Sequence, residues 1–597
     1  MKNLSTLCLT LLGWFHPYAQ TNISVTSPEV DNILQGNYVP GNYPATTVIT
    51  NPNQISAELI SRISPDSLRA DITALIGFKN RNTYSDTASS TTGIGAARRW
   101  AFNKFQQYSS LNDNRLRPAF LEFDWITSPP CSGKTRDFRN VIAVLPGSQI
   151  ANPSLVIIEA HLDSRCVGLC DITCDAQGAG DNAGGAAMVL ELARVMSRYT
   201  FRSTIVFCLT IGEEQQEMGA KAFVKYLVAN GIPVKAINNN DVSAGTFCGH
   251  TNSPPGCPFY GDIDSIGLKI FSFGNINSPK KQWARYVKLE YKEQVKNLVN
   301  VATDIQIMTP DERTNRSGDH QPFTSATPSY TAVRFTQANE DGDANSAPAS
   351  YKDRQHTSHD SLGADFNHDG VLDTVFLDMD YLARNTLVNG NSLAMVALGP
   401  DTILMNASLL TSNRVRVQFT PGGYPAYRVA VRALTNDWDT VYTITGQTAD
   451  TITVPYGTSK TFYISAAAVD HAGTESQFST EYTLFTGLVL LAMADTPVIA
   501  PPVTNTYGIQ LLQNRPNPFD IATSITIVSG TDLFADRAWI NISSLDGRIL
   551  RRLKVILRKG VNEVQYDHGF GMTGTYIYSL IIDGLPVQSR KMVFGRR

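Results

Sequence analysis

Chemistry is most concentrated around His161 and Asp163, which follow an apolar run, Leu155 to Ile158, with the length and branching of a buried strand. Open α/β sheets hold their ligands at the C-terminal ends of strands, so a site is expected here. A loop leads on to Gly180-Asp181-Asn182, and the stretch AAMVLELARVM that follows is predicted as a helix whose small leading residues allow close approach. A second strand, TIVFCLTIG, ends in Glu213-Glu214, and Asp241 in INNNDVSAG and His356 in QHTSHD come later. His161, Asp181, Glu214, Asp241 and His356 are thus potential metal ligands. This mixture of nitrogen and carboxylate suits zinc, and a carboxylate shared by two ions would make a cocatalytic pair about 3.5–4 Å apart. Glu213 cannot easily share the ligand face with its neighbour, but it could take a proton from the attacking water as general base.

The segments HLDS, GAGDNAGG, IGEEQQEMGA, NNDVSAG, SGDHQPF and HTSHD occur in the order and approximate spacing of the zinc aminopeptidase family with cocatalytic metals, which the chain resembles from about residue 65 to 400. The resemblance implies His161, Asp181, Glu214, Asp241 and His356 as ligands of two zinc ions, with Asp181 bridging. It also implies Asp163 orienting His161, Glu213 as general base, and a cis Asp181–Asn182 peptide bond. The implied reaction removes residues from the free N-terminus of a peptide or protein substrate by attack of a metal-bridging hydroxide. Asp319, in SGDHQPF, matches a family position close to the site and is expected to support it.

One departure concerns a tyrosine that family members often carry near the last histidine to hold the oxyanion: here Gln355 precedes His356, and neither Tyr330 nor Tyr351 takes that role from sequence. His250, His320, His359 and Asp360 read as surface or capping groups rather than ligands. Glutaminyl cyclase shares this fold with a single zinc, but Asp181 and Asp241 beside both histidines favour two metals. An inactive scaffold serving as an adhesin is disfavoured by the complete ligand set with Glu213. Downstream, DFNHDGVLD places Asp365, Asn367, Asp369 and Asp373 at calcium-loop positions with Gly370 at the sharp turn, yet Phe376 stands where the bidentate acid belongs.

These residues need a scaffold, and 597 residues suggest three or four domains. The fold class is α/β. Short apolar runs (VIIEA, TIVFCLTI, TAVRF) alternate with helical stretches, predicting a mixed-sheet α/β/α peptidase domain over residues 61–402, in which Ile94, Ala97, Ala101, Phe105 and Tyr108 mark an amphipathic helix. Two all-β sandwich modules follow. Residues 403–486 show period-two strands such as Val415, Val417 and Phe419, and ISAAAVDHAGTESQFS resembles a fibronectin type III module. Residues 487–506 form a Pro-rich linker after an apolar run too short to span a membrane. Residues 507–597, with LLQNRPNPFD, ITIVSG, ISSLDGRILR, GTYIYSLIIDG and KMVF, resemble the C-terminal sorting domain of the type IX secretion system. In this last module Ile525 and Ile527 alternate with polar residues, Asp546-Gly547 is a hairpin signal, and Tyr576 and Tyr578 share a face.

Residues 1–20 read as a secretory signal and 21–60, rich in Pro, Asn, Thr and Gly, as an N-terminal arm. The protein is expected to pass through the periplasm, engage the secretion machinery through its C-terminal module, and end secreted or attached to the cell surface. Loss of Cys8 with the signal leaves an odd number of cysteines; Cys208 lies in an apolar strand, and Cys248 with Cys257 is the easiest pair among Cys131, Cys166, Cys170, Cys174, Cys248 and Cys257. A net charge of −3 offers no basic field for nucleic acid.

Overall fold

The computed structural model describes residues 20–597 apart from 127–128, 152, 250, 258, 260, 275, 314–315, 341–353, 412, 434–435, 458–459, 487–508, 521, 545–548, 568–572, 583–584 and 596–597. Residues 1–19 of the signal read at 1–20, His250, Tyr351, the linker and Asp546-Gly547 lie outside the described residues, while Gln20 opens the first strand.

The main sheet comprises β1 (Gln20–Val25), β2 (Arg117–Trp125), β3 (Phe138–Leu145), β4 (Leu155–His161), β5 (Thr204–Thr210), β6 (Val234–Asn240), β7 (Gly267–Ser272), β8 (Asp304–Ile307) and β9 (Ala332–Gln337). Their spatial order is β1-β2-β3-β5-β4-β6-β9-β7-β8. At the centre β5, β4, β6 and β9 run parallel, while β1, β2 and β3 pair antiparallel on one side and β7 meets β9 antiparallel on the other. Every residue of β4 and β5 is buried, as expected for central strands covered on both faces, and this explains their near-continuous apolar sequences.

The helices are α1 (Pro28–Leu34), α2 (Pro52–Arg62), α3 (Pro65–Gly77), α4 (Gly93–Ser110), α5 (Gly184–Met196), α6 (Met218–Ala229), α7 (Pro279–Glu290), α8 (His320–Ser325) and α9 (Met379–Leu398). Helices α3, α4, α5, α7 and α9 pack on one another and on the sheet, whereas α6 and α8 form a second group with the sheet. Helix α4 buries Ile94, Ala97, Ala101, Phe105 and Tyr108, the apolar stripe predicted from spacing. Among the described residues no helix is long and apolar enough to cross a membrane.

Residues 21–60 are not a loose arm. Strand β1 pairs with β2, α1 buries Val30, Ile33 and Leu34, and α2 buries Ile55 and Leu59 in the main core. The elements are too short for a period to emerge, and the prolines that suggest a loop stand in first helical turns, Pro28 after the Ser27 cap and Pro52 after the Asn51 cap.

The chain divides into two units, one of residues up to Gly487 without Gly274–Ser278, the other of that short stretch with Leu488–Arg597. The first therefore includes residues 403–486, which sequence sets apart as a domain. Here a three-stranded sheet (Leu404–Leu409, Arg414–Thr420, Ala449–Thr453) and a four-stranded sheet (Thr440–Thr445, Ala426–Arg432, Thr461–Val469, Tyr482–Phe485) share a core of Val415, Val417, Phe419, Tyr427, Val429, Phe462 and Ile464. The junction with the peptidase region is itself buried. Ala430, Ala467 and Phe478 belong to the main core, and Glu481 pairs with Arg432 of its own region at 2.5 Å and with Arg285 of α7 at 3.6 Å. All three charged side chains of that triad are at most 1% exposed.

The second unit is built by itself from a three-stranded and a four-stranded antiparallel sheet around Ile525, Ile527, Ile540, Tyr576, Tyr578 and Leu580. Tyr576 and Tyr578 are both buried on strand Gly574–Ile582, and the Tyr578 hydroxyl donates to the Leu512 carbonyl at 2.7 Å.

Candidate metal centre

The C-terminal ends of the adjacent parallel strands β5, β4 and β6 deliver Glu213 and Glu214, His161, and Asp241 to one place. Asp181 comes from the irregular turn Ala179–Ala183 that precedes α5, and His356 from the loop beyond β9. The close packing of this turn requires glycine at 185, where a Cβ would run into the Asn240 carbonyl oxygen and the Asn182 side chain. The Asp181–Asn182 peptide is cis.

His161 Nε2 lies 3.0 Å from Asp181 Oδ1 and 3.3 Å from Asp241 Oδ1. His356 Nε2 lies 3.0 Å from Asp181 Oδ2 and 3.3 Å from Glu214 Oε2. Two sets of potential donors result, His161–Asp181–Asp241 and Asp181–Glu214–His356, with ligand atoms in each within 4.8 Å of one another. The two carboxylate oxygens of Asp181 face one set each. Asp181 Oδ1 and Glu214 Oε1 are buried and accept no hydrogen bond, the condition of carboxylate oxygens that a cation would satisfy. The donors present therefore fit zinc.

The electrostatics agree. Burial opposes the charge of Asp181, but the imidazoles of His161 and His356 hold its carboxyl well below the usual range. Burial presses His356 down, yet Glu214 and Asp181 lift it to about 9, so the metal-free imidazole keeps a proton that a cation would displace. Burial pushes the Glu213 carboxyl well up, with Asp241 and Glu214 adding to the effect and His161 opposing it. Glu213 lines the same cleft, of about 260 Å³, as Asp181, Glu214, Asp241 and His356.

Asp163 contacts His161 Nδ1 through its backbone carbonyl at 3.1 Å, with a carboxylate oxygen at 3.6 Å. Its carboxylate also accepts the backbone N–H groups of Glu213 at 3.3 Å and Glu214 at 3.4 Å, which fixes the glutamate pair relative to His161. Asp319 is buried and accepts the Thr210 hydroxyl at the end of β5, the residue paired across the sheet with His161; burial raises its carboxyl to about 8. Disulfides Cys131–Cys170 and Cys166–Cys174 brace the loop between His161 and Asp181, Cys248 pairs with Cys257 as expected, and Cys208 is a buried free thiol.

Several contributors escape sequence reading. Asp360, set aside as a capping group, accepts the N–H groups of Gly180 at 2.7 Å and Asp181 at 2.9 Å and so aims the Asp181 turn. Arg334 of β9, completely buried, pairs with Asp241 at 3.0 Å and Glu340 at 2.9 Å; a guanidinium in the apolar run TAVRF was the signal available. Arg165 donates to Glu214 at 2.7 Å and its Nη2 lies 2.6 Å from His356 Nδ1, and nothing in the sequence marks it. His320 pairs with Glu312 and His359 is exposed, so neither joins the cluster. The Tyr330 hydroxyl points to the Ile232 carbonyl, away from the cleft. In the predicted calcium loop, Asp365, Asn367, Asp369 and Asp373 accept the loop's own amide hydrogens, and they form no cluster of donors among the described residues.

Comparison with known proteins follows the same lines. Residues 140–373 match Peptidase family M28. A probable zinc metalloprotease of Leptosphaeria maculans is 31% identical over 303 residues, covering 49% of this chain and 68% of that protein. One of Pyrenophora tritici-repentis is 28% identical over 304 residues, covering 49% of this chain and 67% of that protein. The LapA aminopeptidase of Legionella pneumophila aligns in structure over 58% of this chain and 75% of its own, with 18% identity and a TM-score of 0.40. With its buried histidine and carboxylate cluster on the C-terminal edge of a mixed sheet, the chain belongs to peptidase family M28 as a zinc metallopeptidase.

Proposed function

We propose that the chain is a secreted aminopeptidase that works with two zinc ions, His161 and Asp241 holding one, Glu214 and His356 the other, and Asp181 bridging. The observation that carries this reading is the placement of the two Asp181 oxygens toward the two histidines, with Glu213 in the same cleft and outside both donor sets. Bound zinc would supply a water that ionises near neutral pH and a Lewis acid for the scissile carbonyl. Glu213 takes the proton of the attacking water and passes it to the leaving amine, a task suited to a carboxyl lifted by burial. Asp163 keeps His161 in the tautomer that leaves Nε2 available, and it holds the backbone of Glu213. Peptide and protein substrates follow from the family; removal of N-terminal residues is the proposed direction.

The test screens aminoacyl-anilides beside N-blocked peptides, with and without chelator, and counts bound zinc. Chelator-sensitive cleavage of free N-termini alone, with two zinc per chain, is the expected result. Cleavage of blocked peptides equally well, or activity with a single zinc, would overturn it.

Export is the second part of the proposal. The three disulfides favour an oxidising compartment. The fibronectin-like region at 403–486 is assigned a structural role, and the C-terminal unit an address for the type IX secretion system. Deleting Gly508 to Arg597 should leave peptidase activity intact and trap the protein in the periplasm of its host; normal yield outside the cell would refute the address.

A further inference from the structure

Two positions at the metal donors hold backbone conformations that side chains resist. Val242, which follows Asp241, has φ 54°, and His356 itself has φ 58°. A left-handed φ crowds Cβ against the backbone, most of all for a β-branched residue such as valine, and it persists only where the surroundings fix it. One such position goes with each donor set: Val242 adjoins Asp241 in the first, and His356 is a donor of the second.

The contacts that fix both positions converge on Glu340. Its carboxylate is completely buried, and Oε1 receives Arg334 Nη2 at 3.1 Å, the Arg313 guanidinium and Gln355 Nε2 at 3.5 Å, while Oε2 receives Arg334 Nη1 at 2.9 Å. Arg334 reaches on to Asp241 Oδ2 at 3.0 Å, which leaves Oδ1 turned to His161. The Thr336 hydroxyl stands between Glu340 Oε2, at 2.8 Å, and the Val242 carbonyl, at 3.0 Å. Gln355, completely buried, directly precedes His356.

Glu340 is itself anchored by a covalently closed loop. Its N–H donates to Thr251 Oγ1 at 3.1 Å, and its carbonyl accepts the Asn252 N–H at 2.6 Å, both within the loop closed by Cys248–Cys257. The adjacent Asn339 accepts the Cys257 N–H at 3.0 Å and brings its Nδ2 to 2.7 Å from Cys257 Sγ. From the other side Lys269 Nζ donates to the loop carbonyls of Ser253 and, at 2.7 Å, Pro255. A cross-link of this kind removes conformations in which the loop would part from Glu340.

We infer that Glu340 is a positioning residue for both zinc sites, acting on Asp241 through Arg334 and Thr336 and on His356 through Gln355, with the Cys248–Cys257 loop as its anchor. The inference rests on the two-zinc reading above. Partners behind metal ligands fix the direction of the donor atoms, and their loss weakens metal binding without removing a ligand.

The experiment uses the full-length protein, stripped of metal and reloaded. Zinc affinity for each ion is measured by competition with a chelating dye, and the visible spectrum of the cobalt-loaded protein reports donor geometry; melting of the metal-free protein shows that each variant is folded. E340Q should bind both ions about tenfold or more weakly and show an altered cobalt spectrum, with E340D recovering part of the affinity. C248A/C257A keeps every contact of the Glu340 carboxylate and the other two disulfides, and should still weaken both ions about threefold or more. Wild-type zinc affinity with an unchanged cobalt spectrum in folded E340Q, or a loss confined to one ion, overturns the inference. Where E340Q does not fold, E340D and C248A/C257A decide by the same readouts, and wild-type behaviour in both overturns it. Failure of the two-zinc reading would look different: the wild type itself would take up a single ion, and the cobalt spectrum of that ion in E340Q against wild type would still decide for or against Glu340.

Discussion

Replacing Glu213 with Gln changes one oxygen to nitrogen and leaves the shape of the side chain unaltered. The structure says what else stays. Both donor sets omit Glu213, and the Asp163 carboxylate receives the backbone N–H at 213 rather than the side chain, so zinc should remain at the wild-type level. A positioned general base contributes about 10²–10⁴ to rate. The low end of that range is not expected here, because the other carboxylates lining the cleft, Asp181, Glu214 and Asp241, all belong to the donor sets and cannot stand in. A loss of about 10³ in kcat corresponds to about 4 kcal/mol of barrier, with KM little changed because the proton transfer belongs to the transition state. The assay is steady-state hydrolysis of a peptide anilide at neutral pH, with zinc counted by mass spectrometry on the same sample. A fall of less than tenfold with full zinc would remove Glu213 from the proton-transfer role.

The remaining predictions follow from buried charge. Arg334→Met strips Asp241 and Glu340 of a completely buried partner and should cost about 3–5 kcal/mol in denaturant unfolding and about 10–100-fold in zinc affinity; unchanged zinc competition would refute its link to the site. Glu481→Gln breaks the triad with Arg432 and Arg285 and should destabilise the peptidase region together with residues 403–486, seen as one melting transition moved down; two separate transitions would contradict that. Burial lifts Glu290 to about 8, with Glu293 adding and Arg428 opposing, and burial with Glu290 lifts Glu475 well up. Their folded forms hold protons that the unfolded chain releases above about pH 4.5, so this stability is present in acid and is lost as pH rises towards 8. Glu290→Gln should accordingly melt higher than wild type at pH 8 but not at pH 4; the same offset at both values would refute the assignment.

How far the sequence could be read depends on what kind of signal each residue leaves. The strands before His161 and Glu213 are legible because central parallel strands must be apolar throughout, and α4 because it is long enough for its stripe to repeat. The short β1, α1 and α2 leave no such trace and pass for an arm. The donor residues stand out through their motifs, but their supports do not. Arg165 and Asp360 act through backbone and side-chain contacts made across almost two hundred positions of chain, a distance over which no local pattern exists. The disulfide partners were ambiguous for the same reason, except Cys248 with Cys257, whose separation of 9 residues makes pairing local. Near residue 402 the periodicity changes from helix to strand, which reports secondary structure and says nothing of where the core ends.

That shared core has a consequence for what happens when the chain is cut. Tyr286 of α7 donates to the Glu475 carbonyl at 3.2 Å, Gln282 to that of Ser479 at 2.5 Å, and Gln477 reaches back to that of Lys235 at 2.9 Å. With the buried triad and Phe478 beside them, these contacts would hold the two pieces together after a nick near Pro400, so a clipped molecule would run as two bands on a denaturing gel and as one species in a sizing column. Expressed as separate polypeptides, the halves would be expected to find each other and reconstitute the fold, in the way a split reporter does.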